Sequence, residues 1–282
     1  MDKINREWKN KMKFSVLMSI YFKEKSSNFN RAMQSIWDEQ SIKPNEIVLV
    51  EDGKLTDELY NAINLWKERL GQNLKVIKLK ENLGLGDALA IGLKECSFEL
   101  VARMDSDDIS LPKRFEKQLE IFEKNKNIDI CSSWISEFEK DEGNIYAYRR
   151  LPENHNDIVK FAKLRSPINH PAAMFKKSAV LQAGNYQKML LIEDYYLWVR
   201  MILKGFKFYN IQEVLVNMRA GKDQLARRQG LKYAINELKV QYLFYKMGFL
   251  NLYEFLRNLV LKFSVRIMPK FILRVVYRFL RR

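Results

Sequence analysis

The sequence predicts an α/β fold in which a mostly parallel sheet carries helices on both faces, followed by a helical C-terminal extension. In the first 110 residues, short apolar runs rich in β-branched residues alternate with stretches whose apolar residues have helical spacing. Such stretches are long enough to return the chain to the start of a parallel strand. We expect the resulting βαβ connections to be right-handed.

The elements follow in order along the chain. Strands are predicted over residues 14–20, 46–50, 74–79 and 99–104, with helices around 29–37, 59–66 and 85–93 between them. From residue 111 the pattern predicts a helix (114–124), an antiparallel strand pair (128–138 and 145–150), a short strand (171–175), a helix (194–204), a strand broken at Gln212–Glu213 (206–218) and a long helix (224–245).

The net charge of +15 indicates an anionic partner, which can be nucleic acid, a membrane surface or a substrate. Cys96 and Cys131 are too few and too far apart for a disulfide framework or a metal site. The first 13 residues carry no apolar signal region, and no apolar run reaches the length of a membrane span. We therefore expect a cytoplasmic protein, free or on a membrane surface.

Polar clusters follow three of the predicted strands. Tyr21 and Glu24 follow the first strand, Glu51–Gly53 the second and Asp105–Asp108 the fourth. Ligands of open α/β sheets bind outside the carboxyl ends of the strands. The coincidence predicts one ligand-binding crevice rather than three unrelated loops.

Asp105-Ser106-Asp107 is the strongest chemical signal. Two carboxylates one residue apart on a turn can share a hard cation such as Mg²⁺ or Mn²⁺, which prefers oxygen ligands. A solvated acidic turn, with Asp108 capping the following helix, is the alternative. The preceding apolar strand and Arg103 favour the metal site.

Three further features have a structural alternative of equal or greater weight. The amides of the Gly-rich turn at Asn82–Gly86 can face a phosphate or ribose, or can simply form a tight turn. Asp194, preceded by Glu193, can act as a general base or cap a helix. His170, beside a short strand, is more often structural than catalytic.

Taken in order, these segments resemble the inverting family 2 glycosyltransferases of the GT-A fold. Within that family the chain is most similar to bacterial exopolysaccharide and O-antigen transferases of the amylovoran-biosynthesis type. The resemblance covers residues 13–218. It rests on SVLMSIY (15–21), PNEIVLVEDG (44–53), NLGLGDAL (82–89), LVARMDSDDISLP (100–112), NHPAAMFK (169–176) and EDYYLW (193–198).

The resemblance implies a role for each matching position. Asp105 and Asp107 hold the metal and through it the diphosphate, and Asp194 is the catalytic base. An acceptor-side set is implied at Glu193, His170 and Trp198. A donor-side set is implied at Tyr21, Glu24, Asp52, Asn82, Gly84, Arg103 and Asp105.

Two departures from the family pattern limit these assignments. Glu51-Asp52 replaces the usual pair of aspartates, so the choice of base-contacting carboxylate between them stays open. Residues 224–228 carry Arg where processive members have Trp, and we therefore expect a non-processive enzyme. The implied reaction is single, inverting transfer from a nucleotide-diphosphate sugar, with UDP-sugar favoured, to an acceptor hydroxyl on a lipid-diphosphate-linked saccharide.

The C-terminal region differs in composition from the rest of the chain. Between residues 255 and 282 there is no acidic residue, and eight Lys or Arg residues alternate with apolar ones. We expect a catalytic domain over 1–220 (nucleotide-sugar half 13–110, acceptor half 111–220) and a basic amphipathic region over 221–282, divided at Pro269. This region predicts peripheral binding to the anionic inner face of the cell membrane. The alternative is a hairpin packed on the catalytic domain.

Three rival functions remain at the level of sequence. A nucleic-acid-binding protein would explain the charge but not the acidic clusters, which repel phosphates unless a metal is bound, and no nucleic-acid partner is expected. A nucleotidyltransferase would release pyrophosphate. A catalytically inactive scaffold is disfavoured because Asp105, Asp107 and Asp194 are all present.

Overall fold

The computed structural model describes residues 12–189, 192–220 and 231–267. Within these ranges the chain forms a nine-stranded sheet. The strands are β1 (Phe14–Ile20), β2 (Glu46–Glu51), β3 (Leu74–Lys78), β4 (Leu100–Asp105), β5 (Ile109–Ser110), β6 (Ile130–Phe138), β7 (Ile145–Arg149), β8 (Met174–Lys176) and β9 (Phe208–Arg219).

Nine α-helices surround the sheet in the described part of the chain. They are α1 (Ser26–Trp37), α2 (Asp57–Leu70), α3 (Leu85–Glu95), α4 (Arg114–Lys124), α5 (His155–Ala162), α6 (Lys177–Gln182), α7 (Glu193–Leu203), α8 (Leu231–Lys246) and α9 (Leu252–Ile267). Short 3₁₀ turns occur at Gly71–Asn73 and His170–Ala172.

The sheet has a parallel half and a mixed half. Its order is β3-β2-β1-β4-β8-β6-β9-β5, with β7 paired to β6. The first four strands run parallel, as predicted, whereas β8 is antiparallel to both β4 and β6. The predicted antiparallel pair is confirmed as β6–β7. The α/β fold class is confirmed, with antiparallel pairing concentrated in the second half.

Both faces of the parallel half are buried, which explains why its strands are apolar without alternation. Val16 and Met18 of β1 point into a cluster with α1, α2 and α4, and Leu17 points into a second cluster with α3, α6 and α7. A Cβ added to Gly92 would lie 2.6 Å from atoms of Leu17 and Val50. Glycine at this position therefore lets α3 lie directly on the sheet.

Of two predictions about individual strands, one is confirmed and the other is partly wrong. The predicted break in the last strand is confirmed, because the β6–β9 register passes from Ser133↔Ile211 to Trp134↔Val214 and leaves Gln212 and Glu213 unpaired. The strand predicted over 171–175 is wrong in its first half. Pro171 lacks an N–H for a ladder and instead lies in a 3₁₀ turn, so that β8 begins at Met174.

The C-terminal helices α8 and α9 form a hairpin that packs on the catalytic part of the chain. Phe244 and Phe249 join Tyr195 and Val199 of α7 in one apolar cluster. The sequence left a packed hairpin as the alternative to membrane binding, and the structure contains such a hairpin. No helix in the described ranges is both long and apolar enough to span a membrane. The predicted division at Pro269 and the segment 224–228 lie outside the described residues.

Glu46 generates a prediction about stability. Its buried carboxylate accepts hydrogen bonds from Ser15 Oγ at 2.6 Å, Ser97 N at 2.8 Å and Ser97 Oγ at 2.7 Å. Burial alone would raise the pKa of Glu46, but the hydrogen bonds from Ser15 and Ser97 outweigh it and lower the pKa. The resulting stability is present above the unfolded-state pKa, near 4.3, and is lost as pH falls through the folded-state value.

Glu46→Gln should lower the free energy of unfolding by about 1–2 kcal/mol at neutral pH. It should also flatten the decline in stability below pH 5, because the ionised form is no longer favoured by folding. Urea unfolding of both proteins across this pH range measures the effect, with the exposed Glu68→Gln as the matched control. An unchanged pH dependence in the Glu46 variant would contradict the assignment.

Candidate active site

The carboxyl ends of β1, β2 and β4 bring the three predicted polar clusters to one edge. Ile20 pairs with Glu51, and Ser19 pairs with Asp105, so the residues that follow these strands are neighbours. The Asp52 amide donates to Ile20 O at 2.8 Å, which joins the second cluster to the first. The sheet register thus brings the three clusters together at one edge, and their use as one ligand-binding crevice stays a prediction.

Glu24 lies against the Asp105–Asp107 loop. Its Oε2 accepts a hydrogen bond from Ser106 Oγ at 3.2 Å, while Oε1 accepts from Asn28 Nδ2 at 3.1 Å and from the Lys25 amide at 2.8 Å. Glu24 therefore connects the start of α1 to the acidic loop. Tyr21 lies three residues earlier, and its carbonyl accepts from the Glu24 amide.

The environment of Asp107 fits a bound cation. Burial, followed by the negative charges of Asp105 and Glu24, raises the pKa of Asp107 to about 7, while Arg219 and Arg103 oppose this. Carboxylates that repel one another at a crevice are stabilised by a divalent ion with oxygen ligands. The described residues contain no set of three His, Cys, Asp or Glu side chains arranged as ligands. The candidate ligands in the described part of the chain are the carboxylates of Asp105 and Asp107, whose oxygens are of the type that Mg²⁺ and Mn²⁺ prefer.

Arg103 is a buried residue of β4. Its guanidinium is buried and forms an ion pair with Asp105, while Nε and Nη1 have no hydrogen-bond partner among the described residues. Contact between Arg103 and the donor stays a prediction. The side chain lies behind Asp105 and fixes the direction of its carboxylate.

Arg114 is a second buried guanidinium below the acidic loop, and the sequence did not single it out. Its Nη2 donates to Arg103 O at 2.6 Å and its Nη1 to Met104 Sδ at 3.1 Å. Burial, and then the charge of Arg103, lower the pKa of Arg114 to about 9. The available signal was that Arg114 and Gln118 fall on the same face of α4 as Phe115 and Leu119, which is otherwise apolar.

Arg219, at the end of β9, holds the acidic loop from the opposite side. Its amide donates to Asp108 Oδ1 at 2.7 Å, and its Nε donates to Asp107 O at 3.1 Å. The guanidinium also lies 4.6 Å from the centre of the Phe138 ring and donates to Lys140 O. Asp108 accordingly does not cap α4, whose N-terminal cap residue is Lys113.

The Gly-rich turn is fastened to Asp52. The Asp52 carboxylate accepts from the amides of Leu83 at 2.7 Å and Gly84 at 3.0 Å, and Asn82 Nδ2 donates to Asp52 O at 3.1 Å. Gly84 has a φ of +93°, which disfavours other residues. The Gly84 amide therefore has a protein acceptor in this structure, and its contact with a phosphate or ribose stays a prediction.

Glu51, the last residue of β2, directly precedes Asp52. Its carboxylate is buried, lies 3.9 Å from Lys78 Nζ, and burial raises its pKa. The Asp52 carboxylate accepts two backbone amides, whereas the Glu51 carboxylate forms a long ion pair with Lys78. The choice between Glu51 and Asp52 as the base-contacting residue stays open.

Glu193 and Asp194 form the first turn of α7, where they are half-buried and where Ile192, not a carboxylate, is the N-terminal cap residue. A Cβ added to Gly86 would lie 3.0 Å from Glu193 Cγ and 3.2 Å from Gln187 O. Glycine at position 86 therefore lets the start of α7 approach the start of α3. Through this contact the acceptor-side and donor-side motifs meet.

Tyr186 lies between the two sets of carboxylates. Burial, followed by the charges of Asp194 and Asp105, raises its pKa, and Arg103 opposes this shift. Its hydroxyl is 2.9 Å from His170 Nε2. Burial and the charge of Arg103 hold the pKa of His170 well below its ordinary value, so the imidazole is neutral.

Trp198 is fully buried, and its ring packs edge-on to His170 at 5.9 Å between centroids. The Trp198 side chain belongs to the core, and its contact with an acceptor stays a prediction. His170 is also buried and supports Tyr186 from behind. Of the acceptor-side set, Glu193 retains access to solvent, as does the neighbouring Asp194.

Comparison with known proteins identifies the family. The model of Glycosyl transferase family 2 matches residues 15–181. The chain belongs to this family. The sequence resemblance is thereby confirmed, and the enzyme is a glycosyltransferase rather than a nucleotidyltransferase or an inactive scaffold.

Two relatives match almost end to end. An Escherichia coli enzyme named UDP-Gal:alpha-D-GlcNAc-diphosphoundecaprenol beta-1,3-galactosyltransferase is 41% identical over 266 residues, covering 94% of this chain and 95% of the relative. The amylovoran biosynthesis glycosyltransferase AmsE of Erwinia amylovora is 38% identical over 269 residues, covering 94% and 97%. The bacterial polysaccharide type expected from sequence is confirmed.

Solved structures agree on the fold. Residues 1–349 of Staphylococcus aureus TarS in complex with UDP-GlcNAc match with a TM-score of 0.64 at 17% identity, covering 90% of this chain and 72% of that one. A mannosyltransferase from Pyrobaculum calidifontis in complex with GDP-Man and Mn²⁺ matches with a TM-score of 0.58 at 16% identity, covering 89% and 69%. These similarities support the GT-A architecture and no finer statement.

Arg219 generates a prediction about the acidic loop. Arg219→Ala removes the side-chain bonds to the carbonyls of Asp107 and Lys140 but keeps the amide bond to Asp108. We expect the KM for the donor to rise about tenfold, equivalent to about 1.4 kcal/mol, with a smaller change in kcat. Steady-state kinetics measure both constants.

Arg69→Ala is the matched control, because Arg69 forms an exposed ion pair with Asp38 on the surface of the same domain. It should leave both constants unchanged. If Arg219→Ala lowers kcat alone, or behaves like the Arg69 variant, Arg219 does not position the loop for donor binding.

Proposed function

We propose that the enzyme transfers a single sugar from a UDP-sugar to a hydroxyl of a lipid-diphosphate-linked saccharide, with inversion at the anomeric carbon. The observation that carries the proposal is the convergence of Asp52, Asp105 and Asp107 at one sheet edge, with Asp194 brought to that edge through the Gly86 contact and Tyr186. This arrangement offers a donor side and an acceptor side in one crevice.

The donor assignment rests on the carboxyl ends of β1 and β2. Tyr21, Glu24 and either Asp52 or Glu51 are the residues proposed to contact the base and ribose. UDP is favoured because the Escherichia coli relative is named for UDP-Gal and the TarS structure contains UDP-GlcNAc. GDP is the first alternative, since the mannosyltransferase structure contains GDP-Man.

Asp105 and Asp107 are the residues that would hold Mn²⁺ or Mg²⁺. When bound, such a cation neutralises charge that develops on the departing diphosphate. Arg103 fixes Asp105 by the buried ion pair, Arg219 fixes the Asp107 backbone, and Ser106 is tied to Glu24. Each residue of the loop is thus held by a different element before a donor arrives, which reduces the ordering required on binding.

Asp194 is the proposed base. A carboxylate that accepts the proton of the acceptor hydroxyl allows the oxygen to attack the anomeric carbon from the face opposite the diphosphate, which gives inversion. It lies in the first turn of α7 and is half-buried. Glu193 lies beside it, against Gly86, and is proposed to shape the acceptor pocket.

The acceptor assignment follows the printed name of the Escherichia coli relative, which specifies a diphosphoundecaprenol-linked sugar. An acceptor of this kind places the enzyme at the inner membrane face, with residues 1–220 as the catalytic domain and 221–282 as its helical extension. The terminal sugar and the linkage are set by side chains on the acceptor side.

Calorimetry with UDP tests the donor and metal assignments together. We expect UDP to bind in the presence of Mn²⁺, to lose affinity when EDTA is added, and to bind at least about tenfold more weakly to Asp107→Asn, a loss of about 1.4 kcal/mol. Asp157→Asn, which alters an exposed carboxylate of α5, is the matched control. If the folded protein binds none of UDP, GDP and dTDP, the proposed function is wrong.

Asp194→Asn separates catalysis from donor binding. The amide cannot accept the acceptor proton, so transfer from UDP-sugar should fall about 10²–10⁴-fold while UDP affinity stays unchanged. Transfer to a synthetic lipid-diphosphate saccharide and calorimetry with UDP supply the two readouts. Retention of full activity would exclude Asp194 as the base.

A further inference from the structure

The inner face of the α8–α9 hairpin packs on α7. The Phe244 ring packs edge-on to Tyr195 with 4.9 Å between centroids and lies close to Tyr196. Phe249 and Leu250, at the hairpin turn, are buried in the same cluster. The hairpin therefore has a defined position on α7 and is not a freely rotating appendage.

Polar contacts fix the rotation of α9 about its own axis. The buried Asn258 donates to Lys163 O at 2.7 Å and to Gln241 Oε1 at 2.8 Å. Two ion pairs flank it, Glu254–Lys163 at 2.7 Å and Lys262–Glu237 at 2.8 Å. Because α9 cannot turn without breaking these bonds, the residues on its opposite side are held outward.

Those outward residues form an apolar ridge, defined here as Leu252, Tyr253, Leu256 and Val260. Their exposed fractions are 56%, 73%, 51% and 67%. At about 100° per residue, the four side chains fall within an arc of about 100° on the helix. Four large apolar side chains contiguous on one face are unusual for a protein surface without a partner.

The charges around the ridge indicate which partner covers it. The two acidic side chains of the hairpin named above are neutralised by Lys163 and Lys262. After Glu254 the sequence contains eight basic residues and no acidic one through residue 282. A protruding apolar face with Tyr at its edge and only cationic charge beyond it is the pattern of a helix that lies in the headgroup region of an anionic bilayer.

We propose that the ridge of Leu252, Tyr253, Leu256 and Val260 is a membrane-contact surface that docks the enzyme on anionic lipid. The inference rests on the proposed function in that a lipid-linked acceptor gives the docking its purpose. It names the face that enters the bilayer, which the basic composition of the tail alone does not.

The docking surface is mechanically connected to the acceptor side. Phe244 of the hairpin contacts Tyr195, which directly follows Asp194, and the Tyr195 hydroxyl donates to Ala162 O. Because α8 packs against the first turn of α7, binding of α9 to a bilayer also fixes the position of α7. The membrane-bound acceptor and the proposed base are then oriented by one rigid support.

Flotation of the full-length protein with vesicles tests the proposal. Vesicles of phosphatidylcholine alone are compared with equimolar phosphatidylcholine and phosphatidylglycerol. The ridge variant is Leu252→Ser, Tyr253→Ser, Leu256→Ser and Val260→Ser combined, and the matched control is Leu65→Ser with Leu181→Ser, which removes exposed leucines from α2 and α6.

We expect the wild type and the control to float with the anionic vesicles, and the ridge variant to partition at least about tenfold more weakly. Binding of UDP with Mn²⁺ should be equal in all three, which shows that the ridge variant is folded. Equal partitioning of wild type and ridge variant would overturn the proposal. So would a wild-type dimer that the ridge variant dissociates, because the ridge would then be covered by a second copy.

The two proposals fail separately. A wild type that binds UDP but never floats contradicts the membrane surface and leaves the donor site intact. A wild type that floats through the ridge but binds no nucleotide contradicts the proposed function and leaves the membrane surface intact.

Discussion

The balance of charge at the end of β4 is the constraint on which the rest of the site depends. Asp105, Asp107 and Asp108 follow a fully buried strand, and Glu24 adds a further negative charge. Uncompensated carboxylates at such a position would be protonated or would disrupt the strand end. Arg103 lies behind them and Arg219 beside them, so that one buried and one half-buried guanidinium hold the loop. The remaining repulsion, expressed in the raised pKa of Asp107, favours a divalent cation at this point.

Asp52, which follows the neighbouring strand β2, holds the turn at the start of α3 in place. Both of its carboxylate oxygens accept backbone amides from the turn at Leu83–Gly84, and this turn begins α3. Gly86, two residues on, then admits Glu193 against the helix. A single carboxylate at the end of β2 thereby determines where the acceptor-side helix lies. A residue of this kind affects both halves of the site whether or not it also contacts a nucleotide.

The parallel half of the sheet and the position of the crevice were predictable because strand periodicity and the placement of Asp52 and Asp105 are local in sequence. What the sequence could not provide is the partner of each buried polar side chain. Arg103 was expected to contact the donor and Trp198 the acceptor, yet both are buried, because long-range packing decides the direction of a side chain. Arg219 went unnoticed since its contacts with Asp107 and Asp108 span more than a hundred residues.

In the C-terminal hairpin, packing on α7 leaves one face of α9 exposed, so this packing is compatible with the proposed binding to a membrane. One face of α9 is held by Asn258 and by two ion pairs, and this fixed rotation is what keeps Leu256 and Val260 outward. A tail that bound lipid by composition alone would leave the active site free to point anywhere. By contrast, a hairpin locked to α7 beside Asp194 transmits the orientation of the bilayer to the proposed base. The inner contacts of the hairpin are therefore what would make its outer face useful to an enzyme with the proposed lipid-linked acceptor.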